Sequence, residues 1–244
     1  MRQWVKLLAT LPLLLIARSA AAEGEPGKFD YYALALSWSP THCASRGGGG
    51  GPNEPQCAGD RPYSFVLHGL WPQYERGWPS DCQIGERPWV PEEVIREMLD
   101  IMPSKRLVIH QYRKHGVCSG LGVQEFFRVS RKAYETIKIP ERFQSPQDYL
   151  TLSPQVIESE FLKANPAMTA DMISIDCKDR RLREMRICFS RDLKLRPCGD
   201  NERQDKLCNA EKIVLPPVRV GAPIRRNGGR EDYENEDDEN GGED

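Results

Sequence analysis

The sequence predicts an α+β fold, with a single domain in which helices flank a central, mostly antiparallel sheet that is stapled by disulfides. Segments with strand-like alternation are interleaved with helical segments, without the regular alternation typical of a parallel α/β sheet. About 200 residues remain when both ends are set aside, which suits one domain with a sizeable core. All eight cysteines lie within that central part.

The N-terminal residues 1–22 have the layout of a secretory signal peptide. Two basic residues precede an apolar run over 7–17, and small residues occupy 19–22. The run is interrupted by Pro12 and is shorter than the roughly 20 residues that a membrane span requires. We therefore expect cleavage after Ala22 and an exported protein, secreted or periplasmic, that has no membrane association after cleavage and acts as a monomer.

The C-terminal end is strongly acidic. Residues 231–244 include nine acidic residues, no basic residue and one aromatic residue, too little apolar surface to offset the chain entropy lost on folding. We expect a disordered acidic tail over 218–244, which places the domain at 23–217. Residues 23–230 contain 31 basic and 27 acidic residues, a net charge of about +4 that permits a polyanionic ligand without requiring one.

The cysteines favour a disulfide framework over a zinc site. An even number in an exported chain is typical of four disulfides, and no two cysteines have Cys-x-x-Cys spacing. A crosslink between Cys43 and Cys57 is expected because the glycine run at 47–51 between them is costly to order. Spacing alone leaves the other pairings open.

Strands are predicted at both ends of the domain and helices in its middle. The first strand, 29–36, alternates between two faces. A second strand, at 63–67, ends at Gly69 and Trp71-Pro72, and its period of two places His68 on the face of Ser64 and Val66. Helical periodicity predicts helices at 91–102, where Pro91 and two acids mark the first turn, and at 107–114, 123–137, 145–152 and 154–165. Further strands are predicted at 172–177, 184–189 and 212–215, with a turn at 179–181 whose arginines could also meet phosphates.

Residues 110–120 have the sequence HQYRKHGVCSG and form the first candidate site. On a helix, His110 and Lys114 differ by about 40°, as do Gln111 and His115, so all four side chains share one half of the cylinder. A metalloprotease motif needs histidines four residues apart with a glutamate between them, which this segment lacks. Two imidazoles and a lysine suit a reaction in which protons move while an anion gains charge, although plain helix surface is the other interpretation.

Residues 64–73 have the sequence SFVLHGLWPQ and form the second candidate site. His68 stands at the end of an apolar strand, Gly69 would let a ligand approach the backbone, and Trp71 offers a flat ring. Trp78 and Trp89 could either pack or stack on a base, and His42 is expected on a surface loop.

These two segments resemble the two active-site segments of the ribonuclease T2 family, secreted ribonucleases that include the self-incompatibility S-ribonucleases of plants. They occur in the family's order, and the resemblance extends from residues 33–38 through 188–198. It implies a metal-free endoribonuclease without cofactors that cleaves single-stranded RNA by transesterification through a 2′,3′-cyclic phosphate. It also implies the disulfides Cys82–Cys118, Cys177–Cys208 and Cys188–Cys198.

The resemblance implies a role for each site residue. His68 would be the general acid that protonates the departing 5′ oxygen, and His115 would be the base that takes the proton of the 2′ hydroxyl. His110 would hold the phosphate and Lys114 would offset its growing charge. Trp71 would pack against His68 and the substrate.

Three positions depart from the family pattern. Gln111 stands where the family commonly has glutamate, Tyr112 replaces tryptophan and Val117 replaces threonine. Losing the carboxylate at position 111 should lower the pKa values of the nearby histidines, which a carboxylate would raise. Gln111 is therefore placed in the catalytic set and Tyr112, with Trp71, in the substrate-binding set. A catalytically impaired relative that binds RNA or another polyanion stays open as the alternative.

Overall fold

The computed structural model of this chain describes residues 24–45, 55–58, 61–80, 82, 85 and 87–219. The predicted signal peptide, the glycine run and the acidic run at 231–244 lie outside these described residues. Within the described ranges, no helix is long and apolar enough to cross a membrane.

Six strands form one sheet, in the spatial order β2-β1-β5-β6-β3, and β4 also pairs with β5. The strands are β1 (Tyr31–Trp38), β2 (Phe65–Gln73), β3 (Leu150–Leu152), β4 (Ile173–Lys178), β5 (Arg181–Phe189) and β6 (Ile213–Leu215). All pairings are antiparallel except a single parallel pair between β5 and β6. The predicted α+β class with a mostly antiparallel sheet is confirmed.

Seven α-helices surround the sheet in the described part of the chain. They are α1 (Ser39–Ser45), α2 (Pro55–Ala58), α3 (Glu92–Met98), α4 (Lys105–Lys114), α5 (Val123–Thr136), α6 (Pro154–Ala164) and α7 (Gln204–Leu207). The apolar sides of α3, α4, α5 and α6 bury residues in the same core cluster as β1 and β2. This packing fixes α4, with its histidines, beside the sheet that holds His68.

Two predicted elements differ from the structure. The helix predicted at 145–152 is wrong, because residues 150–152 form β3 and pair with β6. Strand pairing outweighs a weak helical pattern in such a short segment. The second strand does not end at Gly69 but continues through Trp71 to Gln73. Because β2 is an edge strand, Pro72 can lie within it without removing a required ladder hydrogen bond.

The four disulfides join Cys43 to Cys57, Cys82 to Cys118, Cys177 to Cys208 and Cys188 to Cys198, as expected. The second of these links the loop after β2 to the 3₁₀ turn Gly116–Ser119 that follows α4. It therefore crosslinks the two segments that carry the candidate site.

The packed domain extends beyond its predicted end at residue 217. Val218 is buried, and its backbone N–H donates a hydrogen bond to the carbonyl of Pro146 at 2.8 Å. Two residues earlier, the carbonyl of Pro216 accepts a hydrogen bond from the indole of Trp38 at 3.1 Å. The prediction that the disordered tail begins at residue 218 is therefore wrong for that residue. Residues 220–244 lie outside the described part.

Candidate active site

His68 occupies an irregularity in β2. Leu67 pairs with Leu36 and Gly69 pairs with Ala35, so His68 is an extra residue without a partner on β1. An extra residue of this kind bends a strand and redirects its side chains, and such bulges are common beside active sites. The His68 side chain is 37% exposed in a strand whose other residues are all buried. The bulge therefore presents this imidazole at the surface.

Glu184 of β5 holds the other side of the His68 ring. Its Oε2 lies 2.9 Å from Nδ1 of His68, and its side chain is almost fully buried. Burial raises the pKa of Glu184, but the hydrogen bond from His68 and the charges of His68, Arg186 and Arg183 outweigh burial and lower it. An ionised carboxylate only accepts hydrogen bonds, so Nδ1 carries a proton and Nε2 is left for a ligand.

Arg186 connects Glu184 to two further buried carboxylates. Its guanidinium lies 3.0 Å from Glu184, 3.3 Å from Asp176 and 3.7 Å from Glu202. It also lies 5.2 Å from the centre of the Trp71 ring. Arg186 therefore compensates charges that would be costly to bury alone, and it supports the Trp71 ring from behind.

The other half of the site lies at the C-terminal end of α4. The helix begins at Ser104, whose Oγ accepts a hydrogen bond from the backbone N–H of Leu107, and it buries Val108 against the core. The side chains of His110 and Lys114 are exposed, whereas His115 is half-buried at the helix end. Cationic side chains at this end also interact favourably with the helix dipole.

Trp71 joins the two halves. Its ring centre lies 5.1 Å from that of His68 and 5.3 Å from that of His115. Its Nε1–H donates a 2.8 Å hydrogen bond to Oε1 of Gln111. A Cβ atom on Gly69 would come within 2.1 Å of that oxygen, so only glycine fits beside this contact. The two histidines from separate segments are thus held against one indole.

The electrostatic surroundings of the histidines on α4 disfavour their protonated forms. Burial, followed by the charges of His110, His68 and Lys114, lowers the pKa of His115 well below its usual value. Burial and the charges of Lys114 and His68 also lower the pKa of His110. His115 is consequently a neutral ring that can accept a proton, whereas His68 faces a carboxylate that can balance a protonated ring.

Two open grooves lie at this pair of histidines, one beside each ring. The first, here called the helix groove, has a volume of about 530 Å³ and is lined by residues that include Trp78, Arg87, Arg106, Arg113, His110 and His115. The second, the hairpin groove, has a volume of about 850 Å³ and is lined by residues that include His42, His68, Trp71, Lys178, Arg181 and Arg183. Each groove therefore contains one histidine of the candidate acid-base pair.

The structure brings together most of the predicted site residues but separates Tyr112 from them. His68, Trp71, Lys114 and the α4 histidines converge. Tyr112 instead lies in the core, where its hydroxyl donates to the carbonyl of Leu121 at 3.0 Å, so its assignment to substrate binding is wrong. Consecutive residues on a helix point about 100° apart, so Tyr112 points away from the direction of Gln111 and packs against α5. Gln111 is only 1% exposed and contacts Trp71, so its role is to position that ring rather than to touch a substrate.

Glu184 and Arg186 were not predicted as site residues from the sequence. Both lie on one face of a strand whose C-terminal half is buried, with a spacing of two residues. A charged pair on a strand face that should be buried is an indication of a functional or structural network. Their partnership with His68 depends on strand pairing across β1, which the local sequence does not show.

The chain matches the sequence model of the Ribonuclease T2 family over residues 29–198. It is 40% identical to a ribonuclease of Aeromonas hydrophila over 142 residues, 58% of this chain and 62% of that relative. It is 32% identical to a probable ribonuclease of Haemophilus influenzae over 123 residues, 46% of this chain and 45% of that relative. The matched segments thus span about half to three fifths of these two curated relatives.

Solved structures share the fold. An RNase-related protein from Calystegia sepium superposes with a TM-score of 0.61 at 22% identity, covering 78% of this chain and 98% of that one. Trichomaglin, described as an S-like ribonuclease, superposes with a TM-score of 0.62 at 24% identity, covering 79% of this chain and all of that one. With a family match that includes both histidine segments and the strand of Glu184, this chain belongs to the ribonuclease T2 family.

Proposed function

We propose that this chain is an endoribonuclease that cleaves single-stranded RNA by internal transesterification. The observation that carries the proposal is the pair His68 and His115, which lie against one indole in opposite electrostatic surroundings. An imidazole that contacts a carboxylate and a second, half-buried imidazole beside cations are suited to act as an acid and a base in one reaction.

The reaction follows from the placement of these two rings. Neutral His115 accepts the proton of the ribose 2′ hydroxyl while the 2′ oxygen attacks the phosphorus. The bond from phosphorus to the 5′ oxygen breaks, and protonated His68 gives its proton to that oxygen. The product is a 2′,3′-cyclic phosphate, which water can open when the two histidines exchange roles.

The remaining polar groups of the site support the charge that builds on the phosphate. Lys114 is exposed beside His115 and can approach the non-bridging oxygens, and His110 can donate a hydrogen bond to them. Because these side chains supply both proton transfer and charge stabilisation, the proposed reaction needs no metal. DNA lacks the 2′ hydroxyl that acts as the nucleophile, so the substrate is RNA.

Open grooves lined by cations and aromatic rings support a single-stranded substrate. The Trp78 side chain is 61% exposed and lies beside Arg87 and Arg106 in the helix groove. Exposed aromatic rings next to cations are the usual means of binding single strands. Export, secreted or periplasmic, is part of the proposal and is supported by the signal-peptide pattern and by four disulfides.

The test is cleavage of a ribodinucleotide by the purified protein in excess chelator, at pH 4 to 8, with detection of the cyclic phosphate. Wild type should form it, and His68→Ala and His115→Ala should each lose at least about a hundredfold in rate. Lys132→Ala, on the exposed side of α5, is the matched control and should retain full activity. Binding without cleavage at every pH would contradict the proposal and favour a polyanion-binding protein, and loss of cleavage in chelator would contradict the metal-free reaction.

A further inference from the structure

The polarity of the proposed reaction assigns the two grooves to different sides of the cleaved bond. In an in-line displacement, the attacking and leaving oxygens stand on opposite sides of the phosphorus. The nucleotide that supplies the 2′ hydroxyl must therefore lie toward His115, in the helix groove. The departing 5′ oxygen, with the rest of the downstream strand, must lie toward His68, in the hairpin groove.

Residues of the connection between β4 and β5 line part of the hairpin groove. This connection is a two-residue turn, in which Asp179 and Arg180 both adopt positive φ angles of 51° and 56°. Lys178 and Arg181 pair with each other at the two ends of the turn, and both side chains are exposed. The tight turn thus fixes two cationic residues side by side at the end of the groove.

Lys178 and Arg181 differ from the other two cationic residues of the groove, Arg183 and Arg186, which contact carboxylates. Arg183 contacts Asp176, and Arg186 contacts both Asp176 and Glu184. Among the described residues, neither Lys178 nor Arg181 forms an ion pair. The groove lining contains two carboxylates, Asp179 and Glu184, and Glu184 is already engaged by His68.

Arg181 lies along β5 from Glu184, the residue that holds the acid His68. Glu184, which holds His68, is three residues along β5 from Arg181, so the backbone separates them by about 10 Å. A cation three residues along the strand from the residue that holds the acid is suited to contact a later phosphate of the same strand. Backbone contacts of this kind hold a strand without reading its sequence.

We propose that Lys178 and Arg181 bind RNA phosphates downstream of the cleaved bond, so that the hairpin groove favours substrates extended on their 3′ side. This inference rests on the proposed function for its polarity, and it adds a substrate site to the acid-base pair. The contacts of Lys178 and Arg181 with phosphates are electrostatic, so their effect on binding decreases with salt.

The test compares two double variants that remove equal charge. Lys178→Gln/Arg181→Gln removes the groove cations, whereas Arg180→Gln/Lys212→Gln removes two cations that line a separate depression of about 380 Å³ nearby. The substrates are a ribodinucleotide and two DNA strands that each carry one ribonucleotide, which fixes the cleaved bond. One strand extends five nucleotides on the 3′ side and the other extends five nucleotides on the 5′ side.

The groove variant should lose about tenfold in kcat/KM on the 3′-extended strand only. For that strand, the slope of log kcat/KM against log salt concentration should become less steep by about 0.7 for each lost phosphate contact. Asp179→Asn should instead raise kcat/KM on that strand about twofold, because it removes a repulsive charge. Equal losses in both double variants, or equal losses on both extended strands, would overturn the inference.

Failure of the proposed function gives a different result. If wild type cleaves no substrate, the assignment of the acid and the base is wrong. The phosphate site in the hairpin groove is then tested separately, by measuring the binding of an all-DNA twelve-nucleotide strand with fluorescence anisotropy. Weaker binding of that strand by the groove variant than by the control variant supports the phosphate site. Equal binding by both double variants overturns it.

Discussion

Gln111 has a packing role that its position in the histidine motif does not indicate. Its side chain is buried and accepts the indole N–H of Trp71, the ring that separates His68 from His115. A glutamate could accept the same hydrogen bond, so the difference between the two residues is charge rather than shape. This difference can be measured through the histidines.

We predict that Gln111→Glu raises the pH at which activity is lost on the acidic side. A carboxylate at this position would favour protonated His115, whose pKa burial now lowers, so the base would take up its proton at higher pH. The measurement is the pH profile of kcat/KM on a dinucleotide. Gln111→Met, which matches the size without adding charge, should leave the acidic limb in place; an unchanged limb in Gln111→Glu would refute the electrostatic explanation.

A second prediction concerns Glu184. Glu184→Gln keeps a hydrogen-bond acceptor for His68 but removes the charge that balances its protonated ring, so kcat should fall about 10- to 100-fold with little change in KM. The measurement is kcat and KM on a dinucleotide together with the pH profile of kcat/KM, which a purely structural effect of Glu184 would leave unchanged. Glu93→Gln serves as the control, since it makes the same substitution at an exposed position in the first turn of α3. A fall in thermal stability without a pH shift would indicate a purely structural role.

At the scale of elements, the bulge in β2 is the feature that creates the site. Period-two alternation predicts that His68 shares a face with Val66, but the unpaired position of His68 interrupts that alternation. The strand then continues through Gly69, where the space that a side chain would need is taken by Gln111 and Trp71. The geometry of the site is therefore set by one extra residue and one glycine.

We predict that Gly69→Ala destabilises the protein by about 1–3 kcal/mol and reduces activity, because its Cβ would displace the Gln111–Trp71 contact. Thermal unfolding and kcat on a dinucleotide measure the two effects. Gly122→Ala is the matched control, since a Cβ there meets no atom within 4 Å. Wild-type activity in Gly69→Ala would show that the placement of Trp71 is unimportant.

The elements that sequence analysis predicted are those specified by local patterns. The helix α4 has a capping serine and a buried side, and β1 is a nearly continuous apolar and aromatic run. Both elements can therefore be recognised without knowing which element packs against them. The strand β3 is three residues long and depends on β6, which follows more than sixty residues later. The contact between His68 and Glu184 depends likewise on two strands aligned through β1, and the two residues have a sequence separation of 116. Long-range pairing is the part that a local pattern cannot specify.

At the scale of the whole molecule, one disulfide holds the two halves of the site together. Cys82–Cys118 closes a loop of 36 residues between the segment after β2 and the turn after α4. It is buried and lies three residues beyond His115. The separation of the acid and the base is therefore constrained by a covalent bond as well as by Trp71.

We predict that Cys82→Ala/Cys118→Ala lowers the free energy of unfolding by about 3 kcal/mol and also reduces kcat under conditions where the protein is fully folded. Cys43→Ala/Cys57→Ala opens a loop of 14 residues elsewhere and should cost a similar free energy while retaining dinucleotide cleavage. Circular dichroism establishes the folded fraction in each case. Equal kcat in the two variants would show that the first disulfide contributes stability alone.

The pairing of His68 with a carboxylate on β5 makes the candidate site depend on a late part of the chain. Both histidine segments are synthesised within the first 120 residues, whereas Glu184 and Arg186 follow much later and reach His68 only when β5 has joined β1. A nascent chain or a truncated fragment that ends before β5 would hold every residue of the two motifs without the counter-ion of its acid.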